Sequence, residues 1–415
     1  MTESSDYDVI VAGAGLVGSC LALVLARLPL RILVVDPAAH AAPGEVSFDA
    51  RVTALANGSQ RILAALDLWA AIEAEAEPIN TIHVSNRGSF GMARIRASEE
   101  GVAALGYTVE NQQLQRALVT DRSRWANVEW RQATRVTDAQ TQGDCVEVTL
   151  GAVAGSQRLT TRLLVAADGT RSSLRAALGA TVTEHDYGQT AIVANCTTQV
   201  PHGGVAYERF TASGPVAMLP LPRGRSGFIW TVPSTQSTEL ASCSEADFKR
   251  TLQKVFGYRL GRLGRLGERQ TYPLVASSAR PIAGQRLLLI GNAANTLHPV
   301  AGQGFNLALR DVSILAEIIA RQSVDAADPG CTAVLDDYQA WRRSDQSKVS
   351  WFTHNLIGLF GNDRPDLRLG RNLGLVFLDL LPGAKTMLAR HTMGLGGRLP
   401  RLARGVSLDQ RQAGQ

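Results

Sequence analysis

The sequence predicts an α/β fold, α+β in part, made of more than one domain, and three observations lead there. The chain has 415 residues, 45% hydrophobic and 19% charged, an ordinary globular balance with ample length for separate cores. Three short apolar runs, at 7–12, 162–167 and 287–290, each pass straight into a glycine-bearing turn. Between the second and third, residues 191–233 alternate apolar and polar in the manner of a half-buried sheet.

The first run, 7–12, reads as a buried strand. Gly13-Ala14-Gly15-Leu16-Val17-Gly18 follows it, then helix-forming Leu and Ala to Arg27, then a second strand at 31–35 ending on Asp36. This is a βαβ unit. Gly13 permits the tight turn, Gly15 lets a pyrophosphate approach the backbone, and Gly18 lets helix and strand pack closely. The helix N-terminus offers free N–H groups and a positive dipole end to phosphate. Asp36, 18 residues beyond Gly18, is placed to accept hydrogen bonds from a ribose. The pattern points to a dinucleotide without separating FAD from NAD(P).

The second run ends in Asp168-Gly169-Thr170-Arg171-Ser172-Ser173-Leu174-Arg175. A carboxylate and helix-start donors at the C-terminal edge of a sheet suit a ligand; the alternative is an Asp-Gly turn with Ser172 starting a helix. The third run leads into Gly291-Asn292-Ala293-Ala294-Asn295-Thr296-Leu297-His298-Pro299-Val300-Ala301-Gly302-Gln303-Gly304-Phe305-Asn306, then a helix. Together, in this order, the three motifs resemble the group A flavin monooxygenases, the aromatic hydroxylases, over roughly residues 6 to 395. Phe48-Asp49-Ala50-Arg51 and Glu110-Asn111-Gln112-Gln113-Leu114 resemble two smaller flavin-contacting segments of that family. Gly291-Asn292, where most of the family has Gly-Asp, together with Thr296-Leu297-His298-Pro299, is similar to one branch, the 2-polyprenyl-6-methoxyphenol hydroxylases of ubiquinone biosynthesis. Val84-Ser85-Asn86-Arg87-Gly88, Tyr207-Glu208-Arg209-Phe210-Thr211, Gly214 to Pro220 and Gly370 to Leu375 resemble it too.

The resemblance implies a p-hydroxybenzoate-hydroxylase-like architecture. It comprises a discontinuous Rossmann-like FAD-binding domain (1–75, 100–182 and 272–345), an inserted β-sheet substrate domain (76–99 and 183–271) and a C-terminal helical region with a basic tail (346–415). It implies FAD contacts at Gly13, Gly15, Gly18, Asp36, Arg51, Asn111, Asp168, Gly291, Asn292, Pro299, Gly302, Gln303, Gly304 and Asn306. His298, Pro299 and Arg51 are the expected catalytic positions, with His298 a candidate to orient a phenol hydroxyl because an imidazole titrates near neutral pH. Asn292 keeps an acceptor oxygen but lacks the charge of the family's Asp. NADH or NADPH would reduce the FAD as a transient co-substrate, since no second Rossmann motif is visible. O₂ would add at the flavin C4a, and the hydroperoxide would pass OH to a prenylated phenol. A sister ring hydroxylase, another aromatic hydroxylase, a prenyl-lipid reductase and an FAD-bearing scaffold of a biosynthetic complex stay open as alternatives.

Other classes are disfavoured. The net charge is +5, and the arginines are scattered, so nucleic acid is not an expected partner. Cysteines 20, 145, 196, 243 and 331 are far apart and form no CxxC pair; no metal site or disulfide framework is expected. The polar N-terminus does not read as a secretory signal, which makes the cytoplasm the expected compartment. The uncharged run 287–309 is long enough for a membrane span but is broken by Asn, His, Pro and Gly. From Trp351 onward the chain is apolar and helical in pattern, and 386–411 adds Arg390, Arg398, Arg401, Arg404 and Arg411 against Asp409. That pairing makes the inner-membrane surface a candidate partner for this region.

Overall fold

The computed structural model describes residues 5–38, 51–152, 155–296, 303–322, 328–343, 372, 374, 377 and 381–408. Two large sheets organise it. In the first, strands Ile32–Val35, Tyr7–Ala12, Gly155–Ala166 and Leu287–Leu289 lie side by side and parallel, in that order. Ala12 is in register with Val35 on one side and Ala166 on the other, and Ala166 with Leu289. A parallel sheet covered on both faces needs continuous apolar runs, and Val9–Val11, Leu163–Ala166 and Leu287–Ile290 are buried accordingly. Helices Leu16–Leu25 and Gln303–Gln322 cover this sheet with almost wholly buried apolar faces. Because the strands are parallel and in register, the turns that follow them, Gly13, Ala167 to Gly169 and Gly291, come out at one edge.

The second sheet has nine strands and holds the alternating region. Pro222-Arg223-Gly224-Arg225-Ser226 reads from its residue types as a hairpin loop, and the observed turn is tighter: strands Val216–Leu221 and Arg225–Pro233 pair from Leu221 opposite Arg225. The turn uses positive φ at Arg223 (63°) and Gly224 (68°), so two residues assigned to the loop join the ladder. Strands Thr81–Asn86 and Met92–Arg96 extend this sheet through a parallel pairing with Val205–Phe210. Period-two alternation gives the sheet two faces. Met218, Phe228 and Trp230 pack beneath helix Glu245–Phe256, which presents Phe248, Leu252 and Phe256 at a spacing of four. Ala217, Leu219, Ile229 and Thr231 face the other way, onto a cavity.

Strands Thr181–Thr198 and Gln270–Arg280 form an antiparallel ribbon that runs from Thr181 opposite Arg280 to Val193 opposite Gln270. The ribbon belongs to the second sheet, and at its Thr181 end Val182 and Ala279 pack into the core of the first. A small three-stranded sheet, Val52–Ala56, Gly106–Glu110 and Ala76–Ile79, closes one side. Helix Pro382–Thr392 packs Ala389 and Met393 against Ile95 and Leu105. The apolar stretch expected from Trp351 lies mostly outside the described residues. Among the described residues no helix is long and apolar enough to cross a membrane; Leu287–Leu289, within the uncharged run, is a strand.

Candidate active site

The glycines of the first motif divide by their surroundings. A Cβ on Gly13 would stand 2.5 Å from the Ala167 carbonyl oxygen, and one on Gly18 would stand 1.9 Å from the Gly13 carbonyl oxygen. Both are glycine because backbone passes too close for a side chain, and Gly13 also has φ 107°. A Cβ on Gly15 would meet nothing within 4 Å, and the same holds for Gly169 and Gly304 at the turns of the other two motifs. Three glycines therefore leave open space on one side of the sheet edge, where helix N-termini and turn N–H groups collect. Asp36 closes the loop from the side: its carboxylate accepts from Ala14 N (2.6 Å) and Ala38 N (2.8 Å).

The second and third motifs are tied together by Arg175. Its guanidinium donates to the carbonyls of Ala293 (2.8 Å), Thr170 (2.8 Å) and Asn292 (2.9 Å). Asp168 Oδ2 accepts from Ser173 N at 3.0 Å, while its Oδ1 is buried without a hydrogen-bond partner. Asn306 bridges helix to strand: Oδ1 accepts from Ala56 N and Nδ2 donates to Ala54 O, both at 2.8 Å. That bridge fixes Val52–Ala56 against the start of helix Gln303–Gln322. Asn111 Oδ1 accepts from Thr53 Oγ1 (2.6 Å), and the Arg51 guanidinium lies 5.7 Å from the centre of the Tyr272 ring.

Part of this set lines one cavity of about 940 Å³. Gly15, Arg51, Asn111, Gly169, Asn292, Gln303, Gly304 and Asn306 lie on its wall at the sheet edge. The opposite wall is apolar, from Ile82, Val84, Ile95, Phe210, Leu219 and Ile229 among others. His298, Pro299 and Gly302 fall outside the described residues, as do Phe48, Asp49 and Ala50.

The profile of the FAD binding domain family matches residues 6–353. The chain belongs to that family. Ubiquinone hydroxylase UbiL of Rhodospirillum rubrum is 37% identical across 98% of this chain and 95% of its own. The 3-demethoxyubiquinol 3-hydroxylase of Escherichia coli is 28% identical across 94% of this chain and 98% of its own. Among solved structures, p-nitrophenol 4-monooxygenase PnpA from Pseudomonas putida DLL-E4 superposes with a TM-score of 0.77 at 20% identity, covering 94% of this chain and 98% of that one. The fold is the p-hydroxybenzoate-hydroxylase-like one, and the chain is an FAD-dependent aromatic hydroxylase of the group A flavin monooxygenases.

The residues present fit FAD. The open side of Gly15 leaves room for a pyrophosphate against backbone N–H groups, and the unpartnered Asp168 Oδ1 is a buried acceptor waiting for a donor. One neighbour of this site carries no motif signature. Arg122, in the turn Asp121–Arg124, stacks 4.2 Å over Trp130 and donates to Ala14 O (3.3 Å) and Ser19 Oγ (3.1 Å). Its Nε is buried and unpartnered, and burial draws the guanidinium below its ordinary pKa. Arg122 comes shortly after the helix that Asn111 opens, yet nothing in that spacing marks it. Arg175 was legible only as the last letter of a motif; its clamp on 292–293 is visible in three dimensions alone. Glu208, quoted only for its resemblance, proves to stand on the cavity wall.

Proposed function

We propose that this chain hydroxylates the ring of a prenylated methoxyphenol in ubiquinone biosynthesis, using NADH or NADPH and O₂. The observation that carries the reading is the single cavity joining the glycine edge to a long apolar wall. It has room for a flavin at one end and an apolar ring with a hydrocarbon substituent at the other. The relatives named as ubiquinone hydroxylases cover nearly the whole chain, which favours this substrate class over other phenols.

The discontinuous division into an FAD-binding domain, a substrate domain and a C-terminal region is part of this reading. Gly13, Gly15, Gly18, Asp36, Asp168, Gly291, Asn292, Gly302, Gln303, Gly304 and Asn306 would hold the FAD, with Asn111, Arg51 and Pro299 beside its ring. Bound FAD supplies the redox chemistry, taking electrons from NAD(P)H and activating O₂. The chain's own residues do the rest. The helix opened by Gln303 presents a positive dipole end to negative charge. The apolar wall excludes water, so activated oxygen is spent on the ring. His298 would orient the phenol hydroxyl.

The exit for a prenyl tail is also part of the proposal. Phe90 (66% exposed), Phe377 (63%) and Met387 (73%) leave apolar surface uncovered. Gly91 N donates to Asn372 Oδ1 at 3.1 Å, which ties the Phe90 segment to the C-terminal region. Such a patch would rest on the inner-membrane surface that holds the substrate. Quinone profiling of a deletion strain tests the function: a prenylphenol one hydroxyl short of the normal intermediate is expected to accumulate, and an unchanged ubiquinone pool would refute the reading.

A further inference from the structure

We propose that Glu208 is the catalytic base of the cavity, holding the phenol by its hydroxyl and taking that proton; this rests on the phenol-hydroxylase reading above. The placement follows from the strand. Along Val205–Phe210 the Tyr207 ring packs against Phe256 beneath the sheet, so alternation turns Ala206, Glu208 and Phe210, all cavity-lining, to the opposite face. The residues beside Glu208 in the sheet are Val84 on the parallel neighbour and Ala217 on the antiparallel one, and both also line the cavity. An ionisable side chain with aliphatic neighbours on both sides is costly to keep unless it has a partner. Among the described residues its carboxylate has neither a hydrogen bond nor an ion pair, and the space in front of it is the substrate's.

The charged groups nearby are separated from it by the sheet. His83, between Arg94 Nε (3.2 Å) and Arg259 Nη1 (2.9 Å), stands on the other face with Tyr207, and Arg209 alternates to that face as well. Strand Val216–Leu221 contributes no titratable side chain, and the Lys385–Glu99 pair (3.0 Å) is not part of the wall. Tyr207 also borders the cavity, but its ring packs against Phe256 on the other face, which leaves Arg51 and Glu208 as the charged side chains among the described residues that line it.

Aromatic hydroxylation needs an electron-rich ring, and a dry chamber offers no solvent base. In the proposed step the phenol O–H bond breaks and a Glu208 Oε–H bond forms. The electron pair stays on the phenol oxygen and delocalises to the ortho and para carbons. Burial pushes the Glu208 carboxyl up to about 7, although the residue as a whole is only half-buried. A base is most effective when its pKa is near the working pH. Against a phenol of pKa about 10, the mismatch is roughly half that of an ordinary carboxylate.

The test uses FAD- and NADPH-saturated holoenzyme with a geranyl-substituted 2-methoxyphenol as probe. Wild-type kcat is expected to rise with pH through an ionisation near 7. E208Q is expected to lose that rise and about 100-fold in kcat, with KM changed less than about threefold, while E208D recovers part of both. A ring-fluorinated probe already ionised at the assay pH should abolish the rise in wild type and narrow the gap to E208Q. E208Q that keeps kcat within about threefold, or keeps the pH rise, overturns the assignment. So does a wild-type pH rise that persists with the ionised phenol, a readout that needs no variant to fold. A wild-type enzyme that binds neither probe counts against the phenol reading itself, which separates the two failures.

Discussion

Replacing Glu208 by Gln should change stability in a pH-dependent way whose size follows from where the carboxyl stands. Its folded-state pKa is raised from 4.5 to about 7 by burial. Between those values the folded chain binds more protons than the unfolded one, so stability falls as pH rises, starting near 4.5 and levelling off above 7. At 1.36 kcal/mol per pH unit the full difference is on the order of 3 kcal/mol. Most of it, roughly 2–3 kcal/mol, falls between pH 5 and pH 8. The amide does not titrate, and every other group is common to both proteins, so the wild-type-minus-variant difference isolates this term. With an unfolding entropy of about 2.1 cal/mol/K per residue, the gap in melting temperature between FAD-saturated E208Q and wild type should widen by about 3 °C in favour of the variant from pH 5 to pH 8. Differential scanning calorimetry across that range measures it. Curves that stay parallel within about 0.5 °C would refute the buried-carboxyl argument, and with it the reason for expecting a base tuned to neutral pH.

Three other outcomes are expected. Asn306→Ala leaves the Ala56 N–H and the Ala54 carbonyl without their side-chain partners at a buried site, a loss of about 2–4 kcal/mol, read as a melting temperature lower by a few degrees together with weaker FAD retention. Gly15→Ala and Gly18→Ala should behave oppositely: the first, opening into free space, should fold with wild-type thermal stability as apoprotein yet bind FAD at least about tenfold more weakly, whereas the second, with 1.9 Å to the Gly13 carbonyl, should not yield stable protein. Equal FAD affinity of Gly15→Ala and wild type by fluorescence titration would remove that loop as the phosphate cradle. Cys20 and Cys196, whose thiols burial pushes up to about 12, should resist an aromatic disulfide reagent at pH 8 until the chain is unfolded, while the half-buried Cys145 reacts in the native protein.

The parts of the site legible in the sequence are those whose cause is local. Gly13 and Gly18 are demanded by atoms within the same turn or the adjacent strand, so their spacing carries the geometry. The apolar runs ending at Ala12, Ala167 and Ile290 reveal a shared edge because parallel register leaves them little choice. What the sequence hides depends on distant partners. Asn306 lies at the end of a motif, yet its hydrogen bonds go to residues 54 and 56, some 250 positions away. Arg122 reaches the glycine loop from a separate turn with no pattern of its own. Alternation placed Glu208 on one face of a strand, but which face meets a cavity is decided by helix Glu245–Phe256 covering the other. The hairpin loop looks two residues longer in the sequence than it is because Arg225 and Ser226 resemble turn residues, while Arg223 and Gly224 supply all the reversal needed.

The ribbon of Thr181–Thr198 and Gln270–Arg280 works as a ruler. It spans from the first sheet's core, where Val182 and Ala279 pack, into the second sheet, and its paired backbone groups make that span stiff on either side of a bulge between Asp186 and Thr190. The bulge already sets residues 181–193 against the shorter run 270–280, and one residue added to each strand would turn every following side chain to the opposite face. Within the regular stretches on either side of the bulge, length changes in matched twos, each step displacing the wall by about 7 Å relative to the edge. A lineage that adapts this scaffold to bulkier rings is thus constrained to carve the wall rather than to move it.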